Sequence, residues 1–588
     1  EIQRSYDFLS ASLRNLPPRH RSMKAVFESS WERLSSEEAH TLCRLAIFSG
    51  GFDRHAANQV ANAPLPILLA LANKSLIRRT FDGRYDIHEL LRQFAEAKLA
   101  TDAPAYHQAK ARHSLYYADW LQSVDIEIKG AHQIETLNAI ERDFGNIRMA
   151  WSWVCEQKQT DTLHRLLDGL MIYFIMRSRD DEARQLCDEA LHYIASDDPA
   201  TQLLQCKLEA LWAVANRGKK PIELIAERFY RLSDYFRATP DHPHLVSTFF
   251  LMHSLSLHPG TNSDIRSENV DRAEYWAKRA ETTADKAGDT FGKIVALRGL
   301  GWVAHERIDY VESKRIFQQT LMLSQQNQDT WNEGESIKTL AEVAYTLGEY
   351  PLAEELTYQG LLISEKVGDR GGVAFAMSAL GSTLFRQGKY EESEIITQKS
   401  IELWRDLGNM GMIGWQKHLL GELDRVRGNY TQAVYHLGDA SEYHLRTQSR
   451  LGNAWCYCAS AWLHFLTGEL SGAEQSLNHA QMIFERNNHI WGYVTVDNHR
   501  AEIACSRGDL VTAQMLIDRA IENAEKCKSI MFQTRNWVTL GRILADGGDK
   551  RGALVWLEKA IAHHATWADV RERAINLRTD YLVALARG

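Results

Sequence analysis

The reading of one short stretch decides the fold: residues 346–350 are TLGEY, and the same shape returns as RQGKY at 386–390, VRGNY at 426–430, LTGEL at 466–470, SRGDL at 506–510 and DGGDK at 546–550. Gly348, Gly388, Gly428, Gly468, Gly508 and Gly548 therefore stand forty residues apart. Glycine supplies the backbone freedom at a junction between antiparallel helices, and the large residue after it, where present, plugs the gap between them. The chain is thus read as helix pairs stacked in series.

Working outward, small residues fall five and twelve positions after each turn: Ala433 and Ala440, Ala473 and Ala480, Ala513 and Ala520, Ala553 and Ala560. Ser313 and Thr320, Ala353 and Gly360, and Ser393 and Ser400 keep the same places. A spacing of seven puts both members on one helical face, where small side chains let neighbouring helices approach. The first helices carry Leu300-Gly301, Leu380-Gly381, Leu420-Gly421 and Leu540-Gly541 in the same register. Towards the N-terminus, Ala273 and Ala280, Gly218, and Ser178 with Ala183 and Ala190 continue it, broken by an insertion around Leu257–Ser263. About ten helix pairs are expected from roughly 165 to 588, the pair around Gly218 being the weakest.

Leucine-glycine in the first helix, G-x-Y at the turn and small residues in the second resemble the tetratricopeptide repeat, in a longer, forty-residue variant found in bacterial signalling ATPases. That resemblance implies a right-handed α-solenoid with a concave groove lined by the first helices. Inward positions counted from each turn are Trp302, His305, Lys338, Glu342, Tyr345, Ser382, Phe385, Trp415, His418, Glu422 and Arg425. Further along they are Trp455, Trp462, Asn498, Glu502, Arg535 and Arg542. Aromatics anchor and charges orient, so this surface suits a peptide, a protein or a polar metabolite. The competing reading of the tryptophans is packing between helices.

Composition narrows the classes. With 45% apolar and 24% charged residues the chain is an ordinary folded protein, and 11 prolines in 588 residues favour helices. A formal charge of −8 gives no footprint for nucleic acid. Cys43, Cys155, Cys187, Cys206, Cys456, Cys458, Cys505 and Cys527 form no C-x-x-C pair, so buried free thiols in a reducing, cytoplasmic setting are expected. Leu170–Met176 is the longest apolar run and too short to span a bilayer. No catalytic or metal constellation emerges; Ala562-His563-His564 lacks ligand spacing and a third ligand. Gly288–Ile294 comes nearest to a phosphate-binding loop but is one residue short and lacks the closing hydroxyl. No nucleotide is therefore expected to bind this chain alone, and enzyme activity is not expected.

The N-terminal quarter reads differently. Helical patterns cover Ala25–Arg33, Ser36–Phe48, Asp53–Asn62 and Pro64–Asn73. Asp82-Gly83 between two short extended runs, ending in Tyr85–His88, predicts a β-hairpin, and helices followed by a hairpin make a winged helix. Pro64–Asn73 carries no cation, which argues against direct nucleic-acid binding; Arg78, Arg79 and Arg84 near the wing are few. The runs Ser30–Leu34, Leu45–Phe52, Lys74–Ile77 and Tyr85–Ala95 resemble the winged-helix domain of STAND (signal transduction ATPases with numerous domains) regulators, of the maltose-activator-like, NB-ARC-related kind. Asp143–Trp153 is similar to that family's segment joining winged helix to repeats.

The resemblance implies that Ile87-His88-Glu89 replaces the family's Met-His-Asp motif, with His88 sensing an ADP phosphate in the full-length protein. The alternative for His88 is a cap on the helix after the wing. ADP, ATP and magnesium belong to a nucleotide-binding module outside this chain, whose start at Glu1 without methionine suggests a piece of something longer. The expected organisation is all-α: a linker over 1–24, a winged helix over 25–101, a helical connector over 102–164 and a repeat sensor over 165–588. The expected function is autoinhibition of the ATPase module, relieved by an inducer in the groove. A constitutive protein–protein scaffold is the alternative, and a DNA-binding regulator the third reading.

Overall fold

The computed structural model describes residues 27–194, 198–220, 222–256 and 266–587. The expected linker over 1–24 and the register-breaking stretch Leu257–Ser263 lie outside them. The described residues are helices with a single two-stranded sheet, grouped in two compact units.

One unit holds the described residues through Ile128, with His132–Tyr173 and Gln185–Leu208. Helices α1 (Ser36–Leu45), α2 (Arg54–Ala61) and α3 (Leu65–Asn73) precede the strands β1 (Arg78–Arg79) and β2 (Tyr85–Asp86). Helices α4 (Glu89–Ala100), α5 (Ala103–Ser123), α6 (Asp125–Ile128) and α7 (Gln133–Glu156) follow. Ser35 and Glu38 close a reciprocal capping box on α1, and Asp53 caps α2, satisfying amides that the first turn leaves open. The hairpin pairs Arg78 with Asp86 and Arg79 with Tyr85 around Gly83, whose φ of +82° the turn requires. Phe52, between α1 and α2, exchanges backbone bonds with Tyr85 and adds a third extended segment.

The segment Asp143–Trp153 lies on α7 and acts as a polar clamp. Asp143 accepts from both Arg84 nitrogens at 2.8 Å, from the Tyr117 hydroxyl and from Asn146. Asn146 in turn accepts the Ser49 amide at 2.6 Å and donates to the Gly51 carbonyl at 2.9 Å. Arg84 is therefore committed to α7, and Arg78 is paired with Asp86.

The other unit holds Lys129–Ala131, Phe174–Arg184 and the described residues from Glu209 on. Along the chain the array begins with α8 (Thr160–Arg177), α9 (Asp180–Tyr193), α10 (Pro199–Ala215), α11 (Ile222–Ala238), α12 (Val246–Ser256) and α13 (Arg266–Ala287). It continues through α14 (Thr290–Glu306), α15 (Tyr310–Gln326), α16 (Thr330–Thr346), α17 (Tyr350–Val367), α18 (Arg370–Gln387), α19 (Tyr390–Asp406), α20 (Met410–Val426) and α21 (Tyr430–Arg446). It ends in α22 (Arg450–Leu466), α23 (Leu470–Arg486), α24 (Ile490–Ser506), α25 (Leu510–Lys526), α26 (Ile530–Asp546), α27 (Lys550–Ala562) and a last helix, α28 (Ala568–Arg587). Among the described residues α8 to α27 make ten helix pairs.

The junctions obey a finer period than the glycines suggest. From Gly288 through Ile308, Gln328 and Gly348 to Gly548, a residue with positive φ stands every twenty positions. The following amide donates back across the helix end, as Glu349 N to the Ala344 carbonyl and Asp549 N to the Leu544 carbonyl, both at 2.8 Å. The residue carrying that amide often caps the next helix, as Asp309, Asp329 and Asp369 do. Gly288–Ile294 is one such junction: Asp289 caps α14, and the rest forms its first turn.

Small residues allow the pairs to close. Ala433, Ala473, Ala513 and Ala553 are fully buried, and where serine replaces alanine its hydroxyl is satisfied: Ser313 donates to the Gly301 carbonyl and Ser393 to the Gly381 carbonyl. A Cβ at Gly301 would lie 2.3 Å from the Phe317 ring, so the leucine-glycine motif marks the closest approach of two helices. Distant junctions also meet. Ser178 donates to Asp369 at 2.6 Å, the Gly411 amide to the Gly218 carbonyl, and Tyr350 to the Ala565 carbonyl at 3.3 Å.

Two junction glycines separate these effects. Gly428 has φ +80° with open space around its missing Cβ, so Gly428→Ala is expected to cost about 1 kcal/mol, from backbone strain alone. At Gly348, φ +77°, a Cβ would sit 2.1 Å from that of Ala565, so Gly348→Ala should cost at least about twice as much. Thermal unfolding midpoints of the two variants check the order.

Candidate functional site

The first helices of successive pairs place residues forty apart on one lane, and several such lanes face the same space. They line a cavity of about 1110 Å³ within the array. Trp302 comes from α14, Glu342 and Tyr345 from α16, Phe385 from α18, and Trp415, His418, Glu422 and Arg425 from α20. Trp455 and Trp462 come from α22, Asn498 from α24 and Arg535 from α26. Four of the sequence-selected residues are not on this wall. His305 is buried beside Thr346 and packs edge-on against Trp302 and Tyr310. Lys338 is buried in an ion cluster with Glu335 and Asp369. Glu502 is inaccessible to solvent, held by Arg542 and Arg573 at 2.6 Å each and by the Thr539 hydroxyl. Arg542 is thereby turned to Glu502 and Ser506.

The tryptophans both pack and line. Trp302 meets Phe317 edge-on at 5.8 Å, and Trp455 meets Phe484 at 5.3 Å, while each still faces the cavity. Trp462 stacks on His499 at 4.9 Å between centroids.

Residues that the periodic pattern did not select complete the wall. Arg386 lies on α18, and Trp567, Asp569, Glu572 and Arg573 belong to the segment after α27. Trp567 donates its indole N–H to the Tyr350 hydroxyl at 3.0 Å and carries Arg386 over its ring at 3.6 Å. Asp569 accepts from Arg425 at 2.8 Å, and Arg573 reaches Glu502. The one sequence signal for this segment is the lapse of the period: α27 stops at Ala562, and His563–Thr566 holds no junction of the repeating kind.

Burial and charge set the protonation states. Burial pushes the Glu342 carboxyl up, and nearby Glu306 adds to it. Burial acts the same way on Glu422 and Asp569, but Arg425 outweighs it and holds both below the usual carboxylate range. Burial lowers His418, and lowers His499 further with the help of Arg535, Arg425 and Arg573, so both rings are neutral at physiological pH. Glu502 is pulled down to about 2: burial opposes ionisation, and Arg573 and Arg542 overcome it. The wall thus combines aromatic faces, neutral imidazoles and fixed charges, the equipment of a binding cavity.

At the other end of the chain, His88 is exposed and caps α4, its Nδ1 accepting the Leu90 amide at 3.4 Å. Among the described residues no group of three histidine, cysteine or acidic side chains is placed to hold a metal, and no helix is long and apolar enough to cross a membrane.

Comparison with known proteins agrees with the repeat. Residues 335–406 match the tetratricopeptide repeat family model. No curated protein sequence matches the chain. Among solved structures, a STAND protein with a tetratricopeptide repeat sensor from Pyrococcus horikoshii aligns with TM-score 0.46 and 13% identity, over 84% of this chain and 73% of that one. A Rap protein complexed with competence and sporulation factor aligns with TM-score 0.44 and 10% identity, over 71% of this chain and 99% of that one. The quorum sensor NprR from B. thuringiensis aligns with TM-score 0.41 and 11% identity, over 62% and 99% respectively.

Glu502 offers a test of the network behind the cavity. Glu502→Gln leaves Arg542 and Arg573 without their carboxylate and is expected to destabilise the protein by about 3 kcal/mol at neutral pH. The folded carboxyl sits below its ordinary 4.5, so its contribution is complete above that value and is lost as pH falls towards about 2. The gap between wild type and variant should therefore close over that window in denaturant titrations at several pH values.

Proposed function

We propose that this chain is the regulatory and sensing region of a STAND-type signalling ATPase, and that an inducer is received in the cavity of the repeat array. The carrying observation is that one cavity is walled by helices from Trp302 to Asp580. An occupant touching α14 through α28 together would stabilise one arrangement of many repeats. A ligand shifts a conformational equilibrium only through such differential contact.

In this reading 1–24 leads from a nucleotide-binding module, 25–101 is a winged helix, 102–164 a connector and 165–588 the sensor. The order α1, Phe52, α2, α3, hairpin supports the winged helix. Its use in holding the module shut, rather than in reading DNA, is favoured by Arg84 being spent on Asp143 and Arg78 on Asp86. His88, exposed at the start of α4, is free on its outer side to approach an ADP phosphate contributed with that module. ADP or ATP with magnesium would bind the module. This chain would supply restraint and the inducer site, in a soluble, cytoplasmic protein.

The test begins with the native gene product, immunoblotted with an antibody against the repeats. A band well above the mass of these 588 residues, with a phosphate-loop peptide in its digest, is the expected result. A band at the mass of the 588 residues would leave a constitutive scaffold as the better account.

A further inference from the structure

Within the cavity wall the acidic and basic groups are unequally matched. Arg425 takes Glu422 and Asp569, and Arg573 takes Glu502, which lies behind the wall with Arg542. Two lining guanidinium groups remain. Among the described residues neither Arg386 nor Arg535 has a carboxylate within 4.0 Å. Arg386 donates Nε to the Tyr345 hydroxyl at 3.2 Å, and Arg535 donates one Nη to the Thr495 hydroxyl at 3.1 Å. The Arg535 Nε is buried with no hydrogen-bond partner.

Both stand over the same indole, with Arg386 Cζ 3.6 Å and Arg535 Cζ 5.9 Å from the Trp567 ring centroid. Phe385 flanks one at 5.1 Å and Phe532 the other at 5.4 Å. Contact with Trp567 at 3.6 Å holds the Arg386 guanidinium against the ring and leaves N–H groups for a bidentate acceptor. Glu572 and Asp580 also line the cavity, but both are exposed to water, which screens them. Glu342 is held towards its neutral form by burial. Burial draws Arg535 down to about 10, with Arg386 adding to the fall and Cys458, Asp569 and Glu422 opposing it, while Tyr345, Tyr350 and Asp569 hold Arg386 above its ordinary value against burial.

We infer that Arg386 and Arg535 form an anion subsite against Trp567, so that the ligand of this cavity carries a carboxylate or a phosphate group. The inference rests on the sensing reading of the cavity and adds the chemical class of what is sensed. An anion there would accept from guanidinium N–H groups that line the cavity and offset the like charge that Arg386 places on Arg535.

The experiment titrates the full chain with glutarate, with pyrophosphate and with uncharged glutaramide at constant ionic strength, following tryptophan fluorescence and the melting temperature. One of the two anions should give a saturable change in wild type and in Arg315→Gln, an exposed control on α15 bonded to Glu312. Its affinity should fall about tenfold or more in Arg386→Gln and in Arg535→Gln, with partial recovery in Arg386→Lys. Response to glutarate assigns a carboxylate source and response to pyrophosphate a phosphate source. The subsite is overturned if neither anion saturates, if the glutamine variants bind as wild type does, or if glutaramide binds equally well. The variants' melting temperatures without probe establish that they fold, and Arg386→Lys carries the test if Arg386→Gln does not. These failures leave the sensing reading standing, whereas an immunoblot band at the mass of the 588 residues removes that reading and leaves anion binding untouched.

Discussion

A left-handed residue every twenty positions governs the repeat array. Each helix from α14 to α26 runs seventeen or eighteen residues and stops where one backbone unit takes positive φ. The reversal lets the next amide satisfy a carbonyl of the finished helix, and the residue bearing that amide can cap the helix that follows. Helix length, pair closure and the forty-residue stagger of the inward lanes follow from this junction. Because helices of equal length begin in the same phase, Glu342, Glu422 and Trp462 share one lane without any contact between them being needed. Glycine is the least costly occupant of the junction, yet Ile308, Gln328, Gln448, Asn488 and Lys528 hold the same conformation, tolerated because the surrounding helices over-determine it.

The array acquires its cavity where that regularity lapses. After α27 the chain turns through Ala565 and Trp567 into α28, and this segment meets residues more than a hundred positions earlier, Ala565 and Trp567 at Tyr350 and Asp569 at Arg425. Tyr350 and Trp567, Arg425 and Asp569, and Glu502 and Arg573 tie the C-terminal segment to earlier helices by hydrogen bonds and ion pairs rather than by apolar packing alone. Polar ties of this kind are geometrically exact and costly to leave half-made, so they favour one arrangement of the wall over many similar ones. The same arrangement leaves Arg386 against Trp567, and Arg535 farther over the same ring, without acids of their own. In the N-terminal unit Asp143 and Asn146 play the corresponding role, joining the hairpin and the Ser49–Gly51 turn to α7 through buried polar contacts.

Much of this was legible in the sequence, and the boundary has a physical reason. A junction leaves a local signature, because backbone conformation is chosen by the residue that occupies it; the glycines at 348 to 548 and the Asp82-Gly83 turn announced helix pairs and hairpin directly. The alternate junctions were legible where glycine marks them, at 288, 368 and 408, and harder at 328, 448 and 528, where glutamine and lysine carry no such mark and the tertiary frame holds them left-handed. Periodicity likewise placed Trp415, Glu422 and Arg535 on an inward lane, for a lane is a property of helical phase alone. Whether an inward residue faces open space or a partner is not. His305, Lys338, Glu502 and Arg542 have the right phase but lie against Thr346, Glu335, Arg573 and Glu502 respectively. The sequence by itself determined the helices, their pairing and the lanes, all set by neighbours in the chain. Only the tertiary structure decided that α28 closes the wall and that Arg386 and Arg535 are left without acids, because those facts depend on side chains that meet across more than a hundred residues.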